Sequence, residues 1–109
     1  MGEGLPRIER DERDGVPVFW TEDTDGPTRV ALTFRVGSAD EVLARRGLTH
    51  LVEHLAMFPL GRTSYVANAL VDEIRTIFYA EGTPDEAHGF VEAVCRSLAD
   101  LPALDLTLV

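Results

Sequence analysis

The clearest alternation in the chain lies at residues 29–36, where Val30, Leu32, Phe34 and Val36 interleave with Arg29, Ala31, Thr33 and Arg35. A period of two puts one set on a buried face and the other towards solvent, which predicts a half-buried strand. Upstream, Val16-Pro17-Val18-Phe19-Trp20 reads as another strand, with Pro17 favouring an edge or a strand start. Residues 8–12 are polar and extended-looking, and Asp14-Gly15 is a tight-turn dipeptide. Asp25-Gly26-Pro27 makes a second turn, so the first third of the chain predicts an antiparallel meander. Residues 68–81 are mostly extended, with Thr76-Ile77-Phe78-Tyr79 rich in branched and aromatic side chains.

Two segments have a helical pattern instead. Residues 48–57 predict a helix that the Phe58-Pro59 step ends, because a residue before proline disfavours helical geometry. Thr83-Pro84-Asp85-Glu86 opens the second helix: a capping threonine, a proline in the first turn and a glutamate placed to reach back. Ala87, Phe90, Val91, Val94, Leu98 and Leu101 then share one face, with Cys95 beside it as a small buried hydrophobe. His88 falls on the polar side. Residues 37–47 read as a loop with short helical content, and residues 61–64 as a plain loop. Leu101-Pro102 ends the second helix, and residues 104–109 stop on an apolar run that resembles a cut. The fold expected is α+β, an antiparallel sheet with helices packed mainly on one face.

Composition narrows the function classes. The 109 residues fit one domain, or part of one, without internal repeats or low-complexity linkers. A formal net charge of −9 argues against nucleic acid and anionic membranes as partners, since both repel an acidic surface. A single cysteine, no basic-then-apolar leader and no long apolar run lead to the expectation of a soluble cytoplasmic protein.

The candidate chemistry sits in the first helix. His50 and His54 are four residues apart and therefore one turn apart on one face, where two imidazole nitrogens can reach one tetrahedral ion. Glu53 lies on the same side and can sit beside a water that the ion activates, taking its proton without being a ligand. Leu51, Val52, Leu55 and Phe58 supply an apolar face to hold the motif rigidly.

Gly37-Ser38-Ala39-Asp40-Glu41 followed by Gly47-Leu48-Thr49-His50-Leu51-Val52-Glu53-His54-Leu55 resembles the N-terminal region of the insulinase, pitrilysin and mitochondrial processing peptidase family. Those metallopeptidases carry H-x-x-E-H, the inverse of the commoner H-E-x-x-H order. The resemblance continues through Asn68-Ala69 and residues 76–79 into the second helix, so residues 1–109 correspond to the N-terminal part of one such domain. It implies Zn2+ held by His50 and His54, Glu53 as general base, and a peptide or unfolded polypeptide as substrate. Asn68 and Ala69 would lie at the sheet edge where a substrate adds as a strand; a turn-forming asparagine is the simpler reading of Asn68.

Two departures from the family pattern stand out. Only residues 55–67 separate the motif helix from Asn68-Ala69, where the family usually has a further helix. The family's third ligand, a downstream glutamate, is expected beyond Val109; Asp72, Glu73, Glu81 and Asp85 are the internal acids that stand closest to replacing it. The resemblance implies a second, similar domain or subunit to enclose the peptide. The alternative is a non-catalytic member of the same family that holds substrate or serves a structural role.

Overall fold

The computed structural model describes residues 7–22 and 25–101. It has the expected α+β architecture, with antiparallel sheets and two helices packed against them. Strands β1 (Glu9–Arg13) and β2 (Val16–Trp20) form a hairpin closed between Arg13 and Val16. Asp14 and Gly15 both have positive φ, 52° and 82°, the sign pattern of the turn that suits the strands' twist. Apart from half-buried Asp11 the hairpin is exposed on both faces, Phe19 and Trp20 included.

The expected meander is not formed. Strand β3 (Thr28–Phe34) does not pair with β2; it joins β4 (Val66–Val71) and β5 (Thr76–Gly82) in a separate antiparallel sheet of order β3-β5-β4. The reason lies in the register. Val30 stands opposite Ala80, which stands opposite Ala67, and Leu32 opposite Phe78, which stands opposite Ala69. These rows form one continuous apolar face that pairing with the exposed β2 could not supply. Within residues 68–81 a turn divides the extended stretch, with the Asp72 side chain accepting from the amides of Ile74 and Arg75 at 2.9 and 2.8 Å.

Helix α1 (Leu48–Met57) and helix α2 (Pro84–Ala99) cover that inner face. Ala56 from α1, Phe78 and Ala80 from β5, and Phe90 and Val94 from α2 form the buried cluster, flanked by half-buried Leu32, Met57 and Leu98. The Phe34 ring meets Phe78 edge-on, with centroids 6.0 Å apart. Among the described residues no helix is long and apolar enough to cross a membrane.

Four local expectations are corrected. Cys95 is exposed: the buried stripe of α2 runs through Ala87, Phe90, Val94 and Ser97, and one residue past Val94 the helix has turned about 100° towards solvent. Leu101, expected on the same face, lies beyond the last helical residue and is 37% exposed. Phe58 is also exposed; Ala56, with Met57 packed beside it, anchors α1 in the core, while Leu51, Val52 and Leu55 are half-buried. Phe58 keeps helical angles (φ −54°, ψ −46°) before Pro59, and the chain tightens into a 3₁₀ turn at Phe58–Leu60 instead of becoming extended. Pro102 and residues 104–109 lie outside the described residues.

Candidate metal centre

Helix α1 begins without a capping side chain of its own. Its N-cap is Gly47 at φ 91°, a left-handed conformation that glycine adopts without steric cost. The helix borrows its cap from Glu41. The amide of Gly47 donates to Oε1 of Glu41 at 2.7 Å, and the amide of Thr49 donates to Oε2 at 2.8 Å. These two bonds, Gly47 first, hold the Glu41 carboxyl below its ordinary value.

The segment carrying Glu41 is itself stitched to the turn between β4 and β5. Ser38 donates its amide to the Asp72 carbonyl at 3.0 Å and Ala39 to the Glu73 carbonyl at 2.9 Å. The Thr76 hydroxyl donates to the Val36 carbonyl at 2.8 Å, and the Gly37 amide donates to the Asp40 carboxylate at 2.8 Å. A Cβ at Gly37 would overlap the Asp72 carbonyl and lie 2.6 Å from the carbonyl carbon of Glu73, so only glycine permits this approach. The first turn of α1 is thereby tied to the end of β4.

From this start His50 is the third helical residue, with Glu53 and His54 one turn on. The two imidazoles face each other, Nε2 to Nε2 at 3.0 Å, with ring centroids 4.6 Å apart and planes tilted by 54°. Two nitrogens bound at about 2.0–2.1 Å to one tetrahedral ion are separated by about 3.3–3.4 Å, so a small opening of the pair fits them to a cation. Ligand atoms of His50, Glu53 and His54 all lie within 4.8 Å of one another. Both histidines are exposed, whereas Glu53 is only 9% exposed. Among the described residues no hydrogen bond or ion pair engages the Glu53 carboxylate. The group can hold a metal ion, and its nitrogen and oxygen donors suit several divalent metals.

Beside the cluster opens a cleft of about 390 Å³. His50 and Glu53 form one side, Ala69, Leu70 and Val71 of the edge strand β4 the other, with Arg46 and Glu41 at the loop end. Ala69 thus reaches the cleft. Asn68 does not; it sits within β4 opposite Tyr79, not in a turn, and its side-chain oxygen accepts from the Ala69 amide at 2.8 Å.

None of the other acids joins the histidines among the described residues. Asp72 is engaged by Arg75 and the turn amides, Glu81 lies 3.5 Å from Arg29, and Asp85 occupies the first turn of α2. Glu73 contributes its carbonyl to Ala39. His88 is exposed and lies 3.5 Å from Glu92, away from the cluster. Neither a protein-family model nor a curated protein matches the chain.

Sequence reasoning missed Glu41 and Arg46 as parts of the site. The usable signal for Glu41 was a helix start at Gly47 with no Ser, Thr, Asp or Asn to cap it, which requires an acceptor from elsewhere.

Proposed function

We propose that the chain carries the metal-binding and proton-transfer part of a zinc-dependent endopeptidase of the inverted H-x-x-E-H type. The observation behind this reading is the convergence of the His50, Glu53 and His54 donor atoms within 4.8 Å, with His50 and Glu53 lining a cleft that strand β4, at the sheet edge among the described residues, also lines. Zinc, when bound, would supply Lewis acidity and lower the pKa of a coordinated water. Glu53 takes the proton of the attacking water and passes it to the leaving amine. Strand β4 offers its outer edge to the substrate backbone, and the Asn68 side chain yields the Ala69 amide when an extended peptide adds there.

His50 and His54 are exposed and the cleft is open, so enclosing a peptide needs a second surface, from another domain or a partner subunit. The exposed single cysteine is compatible with action in the reducing cytoplasm. The test is zinc stoichiometry and cleavage of unfolded peptides by the longest form of the protein and its Glu53→Gln and His50→Ala variants. Glu53→Gln should keep zinc and lose cleavage; His50→Ala should lose zinc. Unchanged zinc content in His50→Ala refutes the ligand assignment. Full zinc occupancy with no cleavage in the unaltered protein leaves the substrate-holding alternative.

A further inference from the structure

We infer that Glu41 is a positioning residue of the metal site, setting both the geometry and the charge of the helix end from which His50 projects. This rests on the metal reading above and extends it to a residue outside the H-x-x-E-H motif.

Geometry supplies the first argument. Gly47 cannot cap α1 with a side chain, and the two carboxylate oxygens of Glu41 accept from Gly47 and Thr49, the residues bracketing the first turn. His50 follows immediately, so its Nε2 is aimed by a turn that Glu41 holds from six to eight residues away in sequence. Charge supplies the second. A helix N-terminus carries roughly half a positive charge within its first turn, which disfavours a cation there. His50 is the third residue of α1, so a divalent ion on it would meet that field. The full negative charge of Glu41, held against the same amides and lining the same cleft as His50, reverses its sign.

Asp40 provides an internal control. It is the next residue, carries the same charge and accepts from Gly37, but makes no bond to α1. Glu41→Gln keeps the size of the side chain, removes the charge and can accept from only one of the two amides. Asp40→Asn changes net charge equally, makes no bond to the helix, and keeps a side-chain oxygen to accept from the Gly37 amide.

Zinc affinity by competition with a chromogenic chelator, and the absorption spectrum of the cobalt(II)-substituted protein, should separate them. Glu41→Gln should weaken zinc binding about tenfold or more and alter the cobalt spectrum, as loss of an outer-shell partner does. Its deficit should shrink as ionic strength rises, because the charge contribution is screened. Asp40→Asn should bind within about twofold of the unaltered protein. Equal affinity in Glu41→Gln and the unaltered protein, or an equal loss in Asp40→Asn, overturns the inference while leaving the metal site standing. No zinc binding by the unaltered protein overturns the metal reading, and this inference with it. Should Glu41→Gln be unfolded without metal, Glu41→Asp, which keeps the charge and shortens the reach, is read against Asp40→Asn by the same criterion.

Discussion

Helices α1 and α2 pack on the same face of the same sheet, yet they are held in opposite ways. Helix α2 is started from within: the Glu86 amide donates to the Thr83 hydroxyl at 3.1 Å, and the Thr83 amide donates to the Glu86 carboxylate at 2.9 Å. It then buries Ala87, Phe90 and Val94 in the core. Helix α1 is started from outside, by Glu41, and buries completely only Ala56 while two histidines face solvent. One helix is a stability element. The other presents a candidate metal-binding group on its exposed face and depends on a loop for its position.

Substitutions on the two helices should therefore separate catalysis from stability. On the proposed peptidase reading, the largest effect expected is on α1: Glu53→Gln should cut peptide cleavage by about 10²–10⁴-fold, the usual contribution of a general base, in steady-state assays. Unfolding of the metal-free protein should change little, since glutamine keeps the shape of a side chain that makes no hydrogen bond among the described residues. A parallel fall in stability would break the distinction. On α2, Phe90→Ala should cost about 3–5 kcal/mol in denaturant unfolding, because Phe90 is fully buried.

At the joint between the loop and the β4–β5 turn, Gly37→Ala should cost about 1–3 kcal/mol by forcing Asp72 and Glu73 away. Because that joint sets the origin of α1, it should also weaken metal binding, which Phe90→Ala in a folded background should not. Smaller still, Thr83→Ala should destabilise by about 1 kcal/mol through loss of the cap, with metal affinity unchanged.

Acid should act through the borrowed cap and the turn it rests on. The Glu41 carboxyl lies below its ordinary 4.5 because of the Gly47 and Thr49 amides, and Asp72 below its ordinary 3.8 because of the Arg75 side chain and then the Ile74 amide. A depressed carboxylate binds fewer protons in the folded state than in the unfolded one. Its stabilisation is complete above those ordinary values and is lost as pH falls through the lower folded-state values. Unfolding midpoints followed below pH 4.5 should thus fall less steeply in Glu41→Gln than in the unaltered protein. Equal slopes would show that the cap does not titrate with folding.

Much of the architecture could be read because its causes are local. The Thr83–Glu86 box, the helical stripe from Ala87 to Val94, the Asp14-Gly15 turn and the four-residue spacing of His50 and His54 each depend on residues a turn or less apart. The exposure of Cys95 is not legible in the sequence, because half-buried Val91 and Leu98 beside it widen the apolar stripe beyond the fully buried core. Phe58 is legible neither way, because an apolar side chain at a helix end can equally well lie outside the contact.

What the sequence determined by itself was therefore which stretches are extended, where both helices begin, and that His50, Glu53 and His54 share one side of α1. The turn at residues 72–75 that splits residues 68–81 into β4 and β5 was not among them. Tertiary structure alone decided the partners. It paired β3 with β5 and not with β2, brought the edge of β4 to the cleft, and placed Glu41 on the first turn of α1. The physical reason is the range of the forces. Helical spacing and capping act over three or four residues, whereas strand pairing and a borrowed cap depend on which apolar faces must be buried together.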